Sequence, residues 1–514
     1  MNRVRKVLIV GCRFDEDRRG GARPWRVPQA MAPVFLAGAF DPRACEVRTY
    51  SELYSGPLEQ RRLLAWPDML VLSGLQVDFD RFLHLAAYAR TLNPAVIVVA
   101  GGSIVNVLPR YARRFFDYCC TGPIEEVQGV IADALGPGYV ANDPQPRHDL
   151  AYFCPVLGMV ESSRHCNYRC DFCALSIAPR RYQPGDPEDL RRAILRTGRK
   201  VIFFLDNNFY GNDTPAFEGK MRMLAGMKER GELRSWGAEV TMDFFLRERN
   251  LDLAKAAGCV ALFCGVESFD RDSLLAFNKR QNLVADQIAL IHRCLGRGML
   301  FLYGLMLDPT RRTIASLDAE VELVLRSPGL PLPSYITLPI PLLGTRFFFD
   351  SLDAGAILPG TRVRDLEGVT LCLRPLEGLD RFQAWWPGVL RLAAGRRARA
   401  IRHDLRFLWR YRRTLDGRHR VVSTGSLLGL CLPKYRSRGR TFVSTTERLD
   451  PQYQPTFRVD GRWASYFNPT PITEASGELS AAMEEVLAHR PRTSRQGAAV
   501  EKDDGAGQVG VAAG

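Results

Sequence analysis

Short apolar runs, each followed by small or turn-forming residues, recur along the first two thirds of the chain and limit its fold more than any other feature. Three of them, at residues 6–10, 69–72 and 95–100, are rich in Val, Ile and Leu and are separated by helix-length segments. Such runs are typical of parallel strands that are buried on both faces of a sheet. They predict an N-terminal α/β domain of Rossmann-like architecture over residues 1–140.

Small residues follow each of these runs. Gly11 follows the first, Ser73 and Gly74 follow the second, and Gly101 and Gly102 follow the third. In an open parallel sheet the carboxyl ends of the strands meet at one edge, where ligands bind. The sequence therefore predicts a ligand crevice at this edge, although a tight strand-to-helix turn explains any single glycine equally well.

A proline-containing stretch, residues 141–155, breaks the pattern and is interpreted as a linker. Repeated βα units follow it and predict a partial (β/α)6 barrel over residues 156–345. Residues 346–489 are less regular and are interpreted as an α-rich C-terminal accessory region. Residues 490–514 lack apolar periodicity and are predicted to be disordered. The apolar runs of the barrel are residues 201–205, 238–242, 260–266, 300–305 and 335–340.

Three cysteines lie within eight residues at the start of the predicted barrel: Cys166, Cys170 and Cys173. In a reducing compartment clustered cysteines indicate metal ligands, and a loop this short can wrap a cubane cluster while leaving one iron without a protein ligand. Zinc with His165 as a fourth ligand is the alternative, but structural zinc sites usually need a second ligand pair. The isolated cysteines, interpreted as small buried hydrophobic residues, are Cys12, Cys45, Cys259, Cys264, Cys294, Cys372 and Cys431.

Polar side chains follow two of the barrel runs, with Asp206 and Asn207 after one and Glu267 and Ser268 after another. At the ends of barrel strands such groups could hydrogen-bond a ribose or an amino-acid moiety. Asp and Asn are also ordinary helix caps, so either pair alone is a weak signal.

Taken together these motifs resemble the cobalamin-binding radical SAM family that contains bacterial hopanoid methylases and bacteriochlorophyll side-chain methyltransferases. The resemblance covers about residues 1–360 and rests on residues 161–173, 205–212, 265–268 and 278–282. An aromatic residue, Phe172, precedes the third cysteine, as is usual in the radical SAM superfamily.

The resemblance implies a 4Fe–4S cluster on the three cysteines, S-adenosylmethionine (SAM) chelating its open iron, and cobalamin on the N-terminal domain. The Asp-x-His-x-x-Gly signature of many cobalamin proteins is absent, because residues 12–20 contain no histidine. This is common in the family and also permits a domain that has lost the corrinoid. The residues that the resemblance assigns to SAM are Phe172, Asp206, Asn207, Glu239, Glu267 and Ser268, and those that it assigns to cobalamin are Ser73, Gly74, Gly101, Gly102 and Gly122.

The function that this resemblance implies is methyl transfer to an unactivated carbon of an apolar or lipid-like small molecule. A cobalamin-assisted radical cyclisation or rearrangement would use the same cofactors. The net charge of +14 also permits an RNA-modifying cluster protein, but we find no RNA-binding module in the sequence and expect no nucleic-acid partner. A fourth interpretation is a binding protein in which the cluster has only a structural role. The expected partners are a small-molecule substrate and a reducing electron donor such as flavodoxin or ferredoxin.

Residues 385–420 combine aromatic side chains with many arginines, which is typical of a helix on an anionic membrane surface. A basic helix whose aromatic residues pack inward explains the same pattern. We expect no membrane-spanning helix, because the apolar stretches fall short of the roughly 18 residues that a span needs, and we find no export signal. A cytoplasmic protein, either free or peripheral at a membrane, is therefore predicted. The aromatic residues concerned are Trp385, Trp386, Phe407, Trp409 and Tyr411.

Overall fold

The computed structural model of the protein describes residues 3–14, 30–177, 181–368, 370–391, 396–417, 421 and 458–491. Cys431 and nearly all of the predicted disordered tail lie outside these described residues. No helix within the described ranges has both the length and the apolar character needed to cross a lipid bilayer.

The N-terminal part contains a five-stranded parallel sheet with the strand order β2-β1-β3-β4-β5. This is a doubly wound order in which the chain reverses direction across the sheet between β1 and β3, a position where such folds bind ligands. The predicted Rossmann-like fold is confirmed. The strands are β1 (Arg5–Gly11), β2 (Cys45–Ser51), β3 (Met69–Gly74), β4 (Ile97–Gly102) and β5 (Tyr118–Cys120).

Both faces of this sheet are buried, which explains its nearly continuous apolar runs. Along β1, Val7 and Ile9 pack into one hydrophobic cluster, whereas Leu8 and Val10 pack into another on the opposite face. Alternate side chains of a strand point to opposite faces. A run in which every residue is apolar therefore indicates a strand covered on both sides.

The second sheet has six parallel strands in the order β13-β12-β11-β10-β9-β6. Apart from a short antiparallel pair, β7 and β8, the strands follow each other in chain order, with helices between them, as expected for a partial (β/α)6 barrel. The predicted barrel is confirmed, and its strands are β6 (Gly158–Val160), β9 (Val201–Phe204), β10 (Ser235–Val240), β11 (Cys259–Glu267), β12 (Leu300–Met306) and β13 (Tyr335–Thr337). The inserted pair is β7 (Ser163–Arg164) and β8 (Gln183–Pro184).

Helices cover the sheets and build most of the described C-terminal region. Those of the N-terminal domain are α1 (Ala32–Ala37), α2 (Glu52–Ser55), α3 (Arg61–Leu64), α4 (Phe79–Leu92), α5 (Ser103–Val107), α6 (Pro109–Ala112) and α7 (Val127–Ala134). Those of the barrel are α8 (Pro187–Arg196), α9 (Thr214–Glu229), α10 (Glu248–Ala256), α11 (Arg271–Ala276), α12 (Gln287–Gly296) and α13 (Ile314–Arg326). Beyond it come α14 (Arg346–Asp353), α15 (Leu379–Arg391) and α16 (Arg396–Arg410).

Short 3₁₀ helices complete the secondary structure of the described residues. One of them lies within the predicted linker, and two follow in the last described segment. They are Gln76–Asp78, Ile124–Glu126, Pro137–Tyr139, His148–Leu150, Ala174–Ser176, Met242–Leu246, Arg280–Asn282, Val363–Asp365, Gly461–Phe467 and Ala481–His489.

The C-terminal region is packed against both sheets. Trp386 and Phe407 are fully buried in the core of the barrel, whereas Ile472 and Met483 belong to a core that includes α4 of the N-terminal domain. The predicted α-rich character is confirmed. The region therefore joins the two α/β units, although the exact domain boundaries stay predictions.

Candidate active site

The three clustered cysteines lie on a loop whose two ends are held together by the β7–β8 pair. Cys170 is buried, and Cys166 and Cys173 are half-buried. Within the loop the Cys173 amide donates to the Cys170 carbonyl at 3.1 Å, and the Tyr168 amide lies 3.5 Å from Cys166 Sγ. Burial raises the pKa of the Cys173 thiol to about 11, a cost that disappears when a metal ion binds the thiolate. The loop thus carries three thiols on one short, partly buried segment.

The loop offers three thiols, the donor type that binds iron–sulfur clusters. Among the described residues no three His, Cys, Asp or Glu side chains are grouped so that they could hold one metal ion. In a 4Fe–4S cluster each cysteine binds a different iron, so the sulfurs need not converge on one point. The isolated cysteines that the structure describes are all buried, as expected for packing residues, and they are Cys12, Cys45, Cys259, Cys264, Cys294 and Cys372.

A segment more than a hundred residues downstream supports the cysteine loop. Asn278 Nδ2 donates to the Arg169 carbonyl at 2.9 Å, and Gln281 Nε2 approaches Cys170 Sγ at 3.4 Å. Asn282 Nδ2 donates to the carbonyl of Gly265 at 2.9 Å, near the end of β11. The segment therefore ties the cysteine loop to the carboxyl end of the barrel sheet.

An almost buried ion pair lies beside this segment. Lys279 Nζ is 2.7 Å from Glu267 Oε1 and 5.6 Å from the centre of the Phe172 ring. Burial disfavours the charge on Lys279, but the Glu267 carboxylate keeps its pKa above the ordinary value. Glu267 has a backbone φ of +62°, which turns it out of the strand, and a Cβ at Gly265 would lie 2.6 Å from Lys279 Nζ. A side chain at position 265 would therefore displace the ends of the Lys279 and Glu267 side chains from their present positions.

Glu239 and Tyr335 face the same side of the barrel sheet as this pair. Burial, reinforced by the nearby Asp206 carboxylate, raises the pKa of Glu239 to about 7. The ring of Tyr335 stacks on Phe263 at 5.9 Å, and the Glu267 and Glu239 carboxylates add to the effect of burial in raising the pKa of Tyr335. A carboxyl group that titrates near neutral pH inside a barrel can hold or release a proton close to a bound substrate.

The side chains of two residues predicted to contact SAM form hydrogen bonds with other protein groups. Asp206 is 1% exposed and accepts hydrogen bonds from the Ser162 amide at 3.1 Å and from its hydroxyl at 2.9 Å. Lys220, whose pKa burial lowers to about 8, lies behind this carboxylate and donates to the Ser162 hydroxyl. Ser268 is fully buried and donates to Glu320 Oε1 at 2.7 Å. Asp206 and Ser268 thus brace the site, and direct contact of either with SAM stays a prediction.

The residues predicted to face cobalamin lie along the carboxyl edge of the N-terminal sheet. Ser73 pairs with Gly101, and Gly74 pairs with Gly102. Gly102 has a φ of +108°, and a Cβ there would lie 2.5 Å from the Gly74 carbonyl oxygen. Gly122 follows β5, where a Cβ would overlap the Glu126 carboxylate. The glycines thus let the strand ends pack closely against each other and against neighbouring residues, and the five residues are partly exposed. Their contact with cobalamin stays a prediction.

The carboxyl edges of the two sheets meet. Gln76, which follows β3, exchanges two hydrogen bonds with the backbone of Leu343, at 2.9 and 3.1 Å. A Cβ at Gly344 would contact Val107, at the end of α5, and Ile177, just after the cysteines. A cleft of about 420 Å³ lies between the units and is lined by N-terminal residues Met31, Ala32, Phe35 and Pro123 to Glu125, and by barrel residues Glu161, Arg164, His165, Gln183, Leu205 and Asn207.

Comparison with known protein families tests this interpretation of the cysteine loop. Residues 160–316 match the family model of the radical SAM superfamily. These residues form a radical SAM domain. The match begins in β6, includes the cysteine loop and ends in α13. The radical SAM domain confirms the prediction of a 4Fe–4S cluster and SAM, and it counts against the zinc alternative.

Relatives of the radical SAM domain and its flanking regions include methyltransferases. The hopanoid C-2 methylase of Rhodopseudomonas palustris is 24% identical over 47% of this chain and 50% of its own length. The bacteriochlorophyllide d C-12(1)-methyltransferase of Chlorobaculum tepidum is 25% identical over 42% of this chain and 46% of its own. The chain thus spans about half the length of these curated relatives.

A solved structure shares the fold. The radical S-adenosylmethionine methyltransferase TsrM from Kitasatospora setae, at 17% identity, superposes with a TM-score of 0.52 over 73% of this chain and 81% of its own. The two chains therefore share their fold over this part.

The Gln281 contact gives a prediction about the cluster. Replacing Gln281 with leucine is expected to lower the midpoint potential of the reconstituted cluster, on the order of tens of millivolts, because hydrogen bonds to the sulfur ligands stabilise the reduced state. Potentiometric titration followed by electron paramagnetic resonance measures this shift. Gln128→Leu, which removes an amide hydrogen bond of 3.1 Å to the Ala141 carbonyl in the N-terminal domain, is the matched control. Equal potentials in the two variants would show that Gln281 does not act on the cluster.

Proposed function

We propose that this chain is a cobalamin-dependent radical SAM methyltransferase that methylates an unactivated carbon of an apolar or lipid-like small molecule. The observation that carries the proposal is the contact between the carboxyl end of the N-terminal sheet and the loop after β13, where Gly344 lies beside Ile177 at the end of the cysteine loop. The reciprocal hydrogen bonds between Gln76 and Leu343 hold this contact. Cofactors bound at the sheet edge and at the cysteine loop would lie close to each other.

The residues of the chain would bind, orient and shield the reactants. When bound, SAM on the reduced cluster supplies hydrogen-atom abstraction, and cobalamin supplies a methyl group. Phe172 packs edge-on against Phe277 at 5.5 Å and would form an apolar wall beside the cluster. The Lys279–Glu267 pair would offer fixed charges for the polar groups of SAM. Glu239 would hold or release a proton beside the substrate.

The apolar nature of the substrate is supported by the aromatic and aliphatic lining of the barrel interior, including Phe263 and Tyr335, and by the similarity to a hopanoid methylase. A flavodoxin-like or ferredoxin-like protein is the proposed electron donor. Cobalamin-assisted cyclisation or rearrangement is the second candidate, because it needs the same cofactors. The two reactions differ in product mass, since only methyl transfer adds a methyl group.

The test uses the full chain, reconstituted without oxygen with iron, sulfide and hydroxocobalamin. It is reduced and supplied with SAM that carries a deuterated methyl group, together with apolar candidate substrates. The proposal predicts 5′-deoxyadenosine and a product that gains the labelled methyl group. Deoxyadenosine with an unlabelled, isomeric product would favour cyclisation, and a chain that retains no corrinoid would overturn the cobalamin part of the proposal.

Gly102→Ala sharpens this test. Its methyl group would overlap the Gly74 carbonyl at the proposed cobalamin surface, so the variant is expected to lose corrinoid absorbance and to keep its cluster. Gly136→Ala is the matched control, because Gly136 has a nearly equal φ of +112° but its Cβ would approach the nearest atom only at 3.9 Å. Thermal unfolding compares the backbone strain in the two variants. Equal corrinoid retention in both would show that cobalamin does not bind at this edge.

A further inference from the structure

Helix α16 presents two different faces. On its inner face Ala400, His403 and Phe407 are buried against the barrel. On its outer face Ile401, Leu405 and Trp409 are 47%, 63% and 68% exposed. The spacing of four residues aligns these three side chains in one row along the helix. A row of large apolar side chains on the surface marks a contact site rather than an ordinary exposed surface.

Arginines flank this row. Arg402, Arg406 and Arg410 each follow one of the three apolar residues and are exposed, as are Arg412 and Arg413 just beyond the helix. Within the described part of the chain neither Arg402 nor Arg406 forms an ion pair, and both are exposed. The helix therefore has an apolar strip beside exposed arginines.

The other aromatic residues of this segment pack inward. Trp386 is fully buried and stacks on Phe382 at 5.8 Å, and Trp385 Nε1 donates to Asp318 at 3.0 Å. Tyr411 donates to the Gly329 carbonyl at 3.2 Å. Nearly all of the aromatic side chains that suggested a membrane-surface helix in the sequence therefore pack against the barrel. Trp409 is the exception, because its side chain is 68% exposed and its ring contacts only the Arg412 guanidinium, at 4.3 Å, among the aromatic and cationic contacts of the described residues.

We infer that the outer face of α16 docks onto the surface of an anionic lipid bilayer. Ile401, Leu405 and Trp409 lie at the boundary between headgroups and acyl chains, and Arg402 and Arg406 contact the lipid phosphates. A helix of 15 residues is about 22 Å long and lies flat on such a surface. Tryptophan and arginine suit this depth because each joins an apolar body to a polar group.

Charge complementarity favours this occupant. An anionic lipid surface offers acyl chains to the apolar row and phosphates to the arginines. A second copy of this chain would instead bring the same positive face against itself. A nucleic acid would satisfy the arginines but leave Ile401 and Leu405 in contact with a polar backbone. The inference concerns where the protein is held and is independent of the reaction proposed above.

The test measures co-sedimentation of the full chain with vesicles of phosphatidylcholine alone and of phosphatidylcholine mixed with phosphatidylglycerol. Binding is expected only with the anionic vesicles and should weaken as salt is added. Leu405→Ser/Trp409→Ser and Arg402→Gln/Arg406→Gln should each weaken it about tenfold or more. Leu195→Ser/Val284→Ser, at positions 44% and 52% exposed on the barrel, is the control and should bind like the unchanged chain.

Three results would overturn the inference. They are equal binding to neutral and anionic vesicles, no binding to either, and binding that neither α16 variant weakens. Light scattering of the chain without vesicles tests whether a second copy of the chain covers this face. A dimer that Leu405→Ser/Trp409→Ser dissociates would assign the face to a second copy of the chain and would also overturn docking on lipid.

Discussion

Replacing Cys170 with alanine is expected to abolish both the iron–sulfur cluster and SAM cleavage. Cys170 is the buried member of the three cysteines and the one that Gln281 contacts, so no water or neighbouring side chain can easily take its place on iron. Deoxyadenosine formation should fall at least about a hundredfold, since even loss of a supporting contact to a metal ligand costs up to about that much. Iron content, cluster absorbance and deoxyadenosine measure the outcome.

The matched control for this change is Cys294→Ala. Cys294 is also fully buried, but its thiol lies 3.7 Å from the Met299 carbonyl within the helical layer of the barrel. This variant is expected to lose some stability and to keep its iron. If Cys170→Ala retained as much iron and activity as Cys294→Ala, the assignment of the cluster to the loop at residues 166–173 would be wrong.

The second large effect is expected on stability. Arg81 and Glu52 form an ion pair whose side chains are 0% and 1% exposed, with an Nη2–Oε1 distance of 2.7 Å. Arg81→Met would leave the Glu52 carboxylate buried without its cation. Removing one partner of a buried pair typically costs about 3–5 kcal/mol. Urea unfolding, followed through the transition of the N-terminal domain, should show a loss of this size.

Two further variants show whether the loss comes from the unpaired charge. Arg147→Met breaks an ion pair with Asp149 whose side chains are 32% and 60% exposed, and it should cost no more than about 1 kcal/mol. Arg81→Met/Glu52→Gln removes both charges and should recover part of the stability that the single change loses. A single change that costs as little as Arg147→Met would contradict the buried position of the Arg81–Glu52 pair.

The sequence predicts best the strands that are buried on both faces. Strands β1, β3 and β4 show as unbroken apolar runs because helices cover both of their faces. Strand β2 carries exposed Glu46 at an edge of its sheet, which removes the signal. Strands β5 and β6 have only three residues each, too few to show a period. Sequence periodicity therefore misses strands that are partly exposed or very short.

The candidate site divides in a similar way. The three cysteines are recognisable because their spacing along the chain is itself the signal. The contact of Gln281 with Cys170 joins residues 111 positions apart, so only the folded chain brings them together. In the same way Asp206 and Ser268 stand at strand ends as predicted, but their side chains face protein partners that the sequence does not identify. Local patterns indicate where a site lies, and tertiary contacts decide which side chains are free to act in it.

The packing of the C-terminal region against both α/β units limits how large ligands can enter and leave the interface. Asp80, in α4 of the N-terminal domain, is fully buried and is held by Arg364 and by the Thr470 hydroxyl at 2.7 Å. Buried side chains of α15 and α16, in the same C-terminal region, pack into the barrel core. Swinging the two α/β units apart as rigid halves would expose this carboxylate and both cores. Ligands at the interface, such as the proposed cofactor and substrate, would therefore enter and leave through motions of loops, with the two halves staying closed.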